Sequence, residues 1–407
     1  MNPDLLRLQP YPFQKLAALF SEVRPNTDHR AISLSIGEPK HATPQFIREA
    51  LAKNLDGLAN YPTTSGSDEL RSTIAKWLSG RYGIPAPDAT TPGINSNAQI
   101  LPVNGSREAL FAFAQTVVDR NKRDPVVVCP NPFYQIYEGA AFLSGATPCF
   151  LNTLPENGFS LNFSRLPEDI WQRTQLVYVC SPGNPTGHVM PLEEWKTLFE
   201  MADRYGFVIA SDECYSEIYF SEKPLGALQA AYRMGRNDYR NLVVFSSLSK
   251  RSNVPGMRSG FVAGDAGFIE RFALYRTYHG SAMSPAIQAA SIAAWSDEAH
   301  VAENRRMYAD KFARVVEILN PVLPITMPEA GFYLWVRTPV ADTTFAQNLY
   351  RDYNVTVLPG SYLARNADGV NPGAGFVRLA LVANTEETVE AAHRIAEFIR
   401  KLVAAGR

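Results

Sequence analysis

Long apolar runs are missing from this chain. No stretch approaches the roughly 20 residues that span a bilayer, and the opening MNPDLLRLQPYPF lacks the basic and apolar regions of a secretory signal. An excess of charge of one sign is missing too. The 39 lysines and arginines offset 40 aspartates and glutamates, for a formal charge of −1, which leaves no electrostatic footprint for nucleic acid or an anionic membrane. Cysteine is scarce. Cys129, Cys149, Cys180 and Cys214 are widely spaced and mostly sit in or beside apolar runs, the pattern of reduced, buried thiols rather than disulfides or metal ligands. There are no repeats and no low-complexity tracts. The cytoplasm is the expected compartment.

What is present points to an α/β protein. At 407 residues the chain exceeds what one core usually organises, so two domains are expected. Short, β-branched apolar runs at 99–103, 126–130, 176–180, 207–212, 242–247 and 260–264 read as buried strands. Helical patterns at 106–119, 133–144, 191–205 and 267–279 lie between them. This alternation predicts a mostly parallel sheet covered on both faces, with ligands at the carboxyl ends of its strands. Thr43-Pro44 reads as a helix start, threonine capping and proline first in the helix. After about residue 290 the pattern changes to a long helix (285–317), strands at 331–336, 355–359 and 376–382, and a final helix (386–404). The expected division is an N-terminal segment (1–45) joining a smaller α+β domain (291–407), and a large domain (46–290).

The residues that carry chemistry sit at or just after strand ends. Lys250 lies in SSLSKRSNVPGMRSG, with Ser247 before it and Arg258 after it. A lone lysine is usually a solvated surface group. Held away from bulk water among cations, it loses proton affinity and becomes a nucleophile and base. Asp212 ends the run FVIASD, and Tyr215 follows three residues later. A helix-capping aspartate and a core tyrosine are the ordinary alternatives. Asn184 sits in SPGNPTG, a rigid, turn-rich loop. NGSREAL places Gly105, Ser106 and Arg107 at a strand-to-helix turn whose N–H groups favour an anion, although such turns are common in α/β proteins. Ser247 and Arg258 would add a hydroxyl and a fixed charge. Tyr134, in NPFYQIY, offers an aromatic face, or simple helix-start packing. Arg378 interrupts the apolar strand GFVRLAL; such an arginine needs an anion, either a substrate carboxylate or an internal carboxylate. A lysine, a carboxylate, ring-oxygen donors, an anion cup and a stacking surface are what pyridoxal 5'-phosphate requires of a protein.

With these residues in order, the chain resembles the class I/II aminotransferases of the pyridoxal-phosphate fold type I. The resemblance runs from SIGEP (35–39) to FVRLALV and rests on the elements N-x-x-x-G, D-x-x-Y and S-x-S-K-x7-R. It implies a large domain with a mostly parallel seven-stranded sheet and a smaller α+β domain. It implies that Lys250 holds the cofactor as a Schiff base, that Asp212 pairs with the ring nitrogen, and that Asn184 and Tyr215 contact the ring oxygen. Gly105, Ser106, Arg107, Ser247 and Arg258 would form the phosphate cup, and Tyr134 would stack on the ring. Arg378, Gly37 and Asn184 would meet the substrate α-carboxylate. A homodimer is implied, with Tyr61 reaching the phosphate from the partner subunit. Position 107 departs from many family members, which carry a smaller residue there, so its side chain is expected to behave differently.

Two segments, LQPYPFQKLAALF and SLSKRSNVPGMRSGFVAGD, are further similar to the succinyldiaminopimelate transaminases of bacterial lysine biosynthesis. That subgroup moves an amino group between glutamate and N-succinyl-2-amino-6-oxopimelate. Rival substrates within the class are LL-diaminopimelate, aspartate and aromatic acids, and a lyase of the same fold shares the cofactor residues. A regulatory module fused to a DNA-binding head is disfavoured, because residues 1–40 are too short for one and carry no basic cluster. Tyr11 to Phe13 is a candidate lid.

Overall fold

The computed structural model describes residues 1–85 and 93–405. Twelve strands are named here in chain order. They are β1 (Ile32–Ser33), β2 (Ile100–Val103), β3 (Val126–Asn131), β4 (Thr147–Asn152), β5 (Thr174–Cys180) and β6 (Val208–Asp212). They continue with β7 (Leu242–Ser247), β8 (Gly260–Gly264), β9 (Tyr333–Arg337), β10 (Val355–Thr356), β11 (Leu358–Pro359) and β12 (Phe376–Ala380). Seven of them form one sheet in the order β2-β8-β7-β6-β5-β3-β4. Only β8 runs against its neighbours. The carboxyl ends of the other six therefore open on the same side, as the β-α alternation predicts.

Side chains alternate across this sheet. Val126, Val128, Val177, Val179 and Ile209 enter one apolar core, while Val127, Cys129, Leu176, Tyr178 and Ala210 enter another. Both faces are thus buried, which is why these strands read as continuous apolar runs rather than alternating ones. A third core lies under the small antiparallel sheet β11-β12-β9. The N-terminal segment reaches it, since β1 pairs in parallel with β10.

The departures from expectation have local causes. Strand β4 was not expected. It is a half-buried edge strand containing Pro148, and an edge tolerates a residue that cannot donate to the ladder. Helix Asp68–Tyr82 was not expected either, although Ser67 caps it and Gly83 ends it at φ 65°. The long helix expected over 285–317 is two, Pro285–Ser296 and Ala299–Leu319. Asp297 adopts an extended backbone there and accepts from the His300 N–H at 3.0 Å, starting the second helix instead of continuing the first. Thr43 does not cap a helix: its hydroxyl donates to the Asn253 carbonyl at 2.8 Å, and the helix begins at Gln45. Of the four thiols, only Cys129 is fully buried; all four are free. No helix among the described residues is long and apolar enough to cross a membrane.

A polar chain joins the two ends of the molecule. Lys311, fully buried, donates to the Leu381 and Ala383 carbonyls and to His41 Nε2 at 3.0 Å. His41 Nδ1 meets Asn304 Oδ1 at 2.8 Å, and Asn304 donates to the Lys250 carbonyl at 3.4 Å. In this arrangement His41 is neutral, with its proton on Nδ1 and Nε2 accepting from the lysine. Burial first, and then the Lys311 charge, hold its pKa below the ordinary 6.5. The unfolded chain binds this proton more readily. The contribution of His41 is therefore complete above pH 6.5 and lost as pH falls through the lower folded value. Replacing His41→Gln is expected to flatten the decline in urea stability between about pH 6.5 and pH 5 relative to the parent; identical slopes would show that His41 plays no part in it.

Candidate active site

Five strand ends and one strand of the small sheet bring the candidate residues together. β6 ends in Asp212, and β7 ends in Ser247, directly before the helical turn Leu248–Arg251 that carries Lys250. β5 leads into the loop of Asn184, β3 into the segment of Tyr134, and β2 into Gly105 and Ser106. β12 adds Arg378 from the opposite side. All surround a cleft of about 530 Å³, which Gly37, Tyr215, Arg107, Ser247 and Arg258 also line. Tyr61 does not; it is fully exposed and lies outside the cleft of the single chain. Gly105 sits just behind the lining: its φ is 88°, and a Cβ there would meet Arg258 Nη2 at 2.2 Å. The backbone angle calls for glycine, and Arg258 packs into the space a side chain would take.

Lys250 is half-buried, Asp212 is buried, and each is bonded elsewhere. Lys250 Nζ donates to the Gly37 carbonyl at 2.7 Å. Burial lowers its pKa to about 8, with the Arg107 and Arg378 charges acting in the same direction. A useful fraction of the amine is then neutral near neutral pH. Asp212 is 4% exposed. The Tyr137 hydroxyl donates to its Oδ2 at 2.8 Å and the Cys214 N–H to its Oδ1 at 3.3 Å. Burial raises its pKa, and neither hydrogen-bond donor is a cation. A carboxylate held this way suits a protonated ring nitrogen. Tyr215 lies 3.1 Å from the Tyr333 hydroxyl, and burial pushes its pKa up, so it remains a donor.

Arg378 is 4% exposed. Its Nη1 donates to Asn184 Oδ1 at 3.1 Å and its Nη2 to the Ser35 carbonyl at 2.8 Å. Its Nε is buried with no acceptor. The internal carboxylate left open by the sequence is not there among the described residues, and a buried guanidinium that lines the cleft without one fits an anionic ligand.

At the end of the cleft expected to hold the phosphate, two side chains are engaged within the protein. Arg107 does not point its Nε into a cup; it donates to the Tyr134 hydroxyl. The Ser247 hydroxyl is engaged internally, donating to the Ser259 carbonyl at 3.0 Å and accepting from the Ser249 N–H at 3.1 Å. Arg258 remains, with only its Nη1 bonded, to the Pro255 carbonyl at 2.8 Å. Ser106 opens the helix Ser106–Val117, whose first N–H groups face an anion well. Sequence reasoning missed Tyr333, Tyr137, Ser249 and Cys214. Ser249 lies inside the S-x-S-K element and Tyr137 one helical turn after Tyr134, so both were within reach. Tyr333, in GFYLWV, carries no local signal.

Tyr137 stacks on Tyr178, with ring centroids 4.5 Å apart, and holds Asp212. Replacing Tyr137→Phe keeps the stack and removes the donor. The expected loss of unfolding stability at pH 7 is about 1–3 kcal/mol, read by urea denaturation; an unchanged stability would mean that Asp212 does not depend on this bond.

Comparison with known proteins places this geometry. The family described as "Aminotransferase class I and II" matches residues 29–395. An aminotransferase of Neisseria meningitidis is 50% identical with a TM-score of 0.94, covering 98% of this chain and 100% of that one. The aminotransferase AspB of Helicobacter pylori is 35% identical, with a TM-score of 0.88 over 97% and 99% of the two chains. Among curated relatives, the LL-diaminopimelate aminotransferase of Dehalococcoides mccartyi is 30% identical over 98% of each chain. The match across nearly the whole chain, on a fold of type I, makes this protein a member of the class I and II aminotransferases, a family that depends on pyridoxal phosphate.

Proposed function

We propose that this chain transfers an amino group between glutamate and N-succinyl-2-amino-6-oxopimelate. The observation that carries the transferase reading is the buried Arg378, without a carboxylate partner among the described residues, on the same cleft as a lysine of lowered proton affinity. The choice of a diaminopimelate-type substrate is supported by the two sequence segments described above and by the relatives named LL-diaminopimelate aminotransferase, 30% and 31% identical over 97–98% of this chain. Those names favour free LL-diaminopimelate as the second reading.

Bound pyridoxal phosphate would supply an electron sink for bonds to the substrate α-carbon. Asp212 would hold the ring nitrogen protonated, Tyr215 and Asn184 would contact the ring oxygen, and Tyr134 would cover the ring face. Ser106, Ser247 and Arg258, with the backbone at Gly105, would receive the phosphate. Arg107 would contribute its charge and position Tyr134 rather than close the cup. Arg378 would grip the α-carboxylate, with Gly37 leaving room for it; a Cβ at Gly37 would sit 1.9 Å from the Tyr333 hydroxyl. Lys250, free to exist as a neutral amine, would take the α-proton and return it one atom along. The N-terminal segment 1–45, the large domain 46–290 and the smaller domain 291–407 would each contribute a wall.

A homodimer would complete the site. Tyr61 projects from a surface that also exposes Leu58, Leu274 and Tyr278, and the Thr277 hydroxyl donates to Thr64 at 3.0 Å, joining the two segments. Exposed apolar side chains on two segments joined in this way support an interface. Mixing Tyr61→Phe subunits with Lys250→Ala subunits is expected to restore activity in the hybrids, since one of their two sites recovers both groups. Confirmed hybrids without recovery would remove Tyr61 from the partner's site.

The substrate is tested in two steps. The enzyme loaded with pyridoxal phosphate is expected to release one equivalent of 2-oxoglutarate per site from glutamate, and the Lys250→Ala variant none. The aminated enzyme is then offered N-succinyl-2-amino-6-oxopimelate, and separately the unsuccinylated oxo acid. Amination of the first supports the proposal; amination of the second alone assigns the LL-diaminopimelate reaction. No release of 2-oxoglutarate would overturn glutamate as the donor.

A further inference from the structure

A second cavity, of about 470 Å³, shares no lining residue with the active-site cleft. It lies between helix Asp68–Tyr82, the loop that follows β6, and the start of helix Ala299–Leu319. Its size is within the range of small-molecule sites.

The charges lining it are unevenly satisfied. Glu217 is fully buried and already paired with Arg81 at 2.6 Å and with Arg305 at 3.9 Å. Glu298 is taken by Arg251 and by the Trp77 indole N–H. Both carboxylates of the lining thus face donors of the protein, Glu298 through its Oε1 alone. Lys76 and Lys223 are exposed on the same lining, and no carboxylate among the described residues pairs with either. Trp295, 2% exposed, also lines the cavity, and its indole N–H is buried without an acceptor. What is left over is therefore two cations, one buried N–H donor, and the aromatic surfaces of Trp77, Trp295 and Tyr219. Lys76, Arg81, Lys223 and Arg305 outnumber Glu217 and Glu298 on this lining by four to two, so the cavity favours an anion over a cation.

We propose that this cavity is a binding site for a small carboxylate carried on an apolar, planar body. The carboxylate would meet Lys76 and Lys223, and the body would lie against the aromatic faces of Trp77, Trp295 and Tyr219. The site reports to the active site through one residue. Arg251, next in sequence to Lys250, stands over the rings of Trp295 and Trp77 at 4.8 and 5.5 Å and bonds the Ala294 carbonyl at 2.8 Å. An occupant that moves Trp295 moves the residue beside Lys250.

The test uses phenylacetate, with 2-phenylethylamine and 2-phenylethanol as the same body bearing the opposite charge or none, on the full chain loaded with pyridoxal phosphate. Saturable phenylacetate binding below about 10 mM by calorimetry is expected, with no binding of the amine. The Lys76→Gln/Lys223→Gln double variant is expected to weaken it about three- to ten-fold, and Trp295→Phe to weaken it further. Phenylacetate is also expected to move the midpoint of the cofactor's absorbance titration with pH in the parent, and not in the double variant. Absence of saturable binding, or affinity unchanged in both variants, would overturn the site. A midpoint that stays fixed while phenylacetate binds would overturn its link to Lys250. Neither result depends on which amino acid the enzyme transfers.

Discussion

The structure depends on keeping two opposite charges of one cleft, the buried Asp212 and the half-buried Lys250, unpaired. Asp212 and Lys250 stand on neighbouring strand ends, β6 and β7, of one cleft. Left alone in a low-dielectric site, they would gain by pairing, and the cleft would close on itself. The fold instead gives each a neutral partner. Tyr137 and the Cys214 N–H hold Asp212, and the Gly37 carbonyl holds Lys250. Tyr137 and Gly37 come from distant parts of the chain, and Cys214 stands two residues after Asp212. Separating the charges is thus an achievement of the tertiary structure, and it keeps a carboxylate and an amine available to a third party.

The same logic extends outward. The Gly37 carbonyl belongs to the N-terminal segment, which β1 fastens to β10, and Arg378 reaches the cleft from β12 beside it. Lys311, His41 and Asn304 then connect the carbonyls of Leu381 and Ala383 to that of Lys250. The segment, the small sheet and the turn carrying the lysine are tied by hydrogen bonds between buried or half-buried groups. Such bonds gain little when made and cost much when broken, so they fix positions more than they add stability.

The large sheet was readable because both its faces are buried. Burial on two sides forces continuous β-branched runs, and the residues with chemistry follow those runs directly, as Asp212 follows Ala210 and Ser211. Order along the chain then stood in for order in space. The parts that were not readable are those set by contacts rather than by runs. Strand β4 is an edge strand and carries a proline, so its sequence lacks the signal of a central strand. The break at Asp297 depends on one side chain turning back to the His300 N–H, which periodicity does not register. Arg107 and Tyr134 were each assigned to the cofactor from position, yet they bond each other, because an arginine long enough to reach a phosphate is long enough to reach a phenol. Tyr333 approaches Tyr215 across 118 residues of chain, and no local pattern announces it.

Glu217 shows how the loop after β6 is made rigid enough to serve. Five residues after Asp212 and two after Tyr215, it is 4% exposed and pairs with Arg81, whose side chain is 5% exposed. Arg81 also donates to the Ser216 and Pro224 carbonyls, at 3.2 Å each. A buried pair adds little net stability over an apolar pair of the same shape, but removing one member leaves a charge without compensation, at roughly 3–5 kcal/mol. The loop therefore has one arrangement that satisfies Glu217 and none nearby that does. Glu213 acts in the same way one turn earlier, accepting from Tyr82, Ser211 and the Ala227 N–H. Between these two anchored carboxylates lie Cys214 and Tyr215. The precision of the cleft at this edge comes from acidic residues that never touch it.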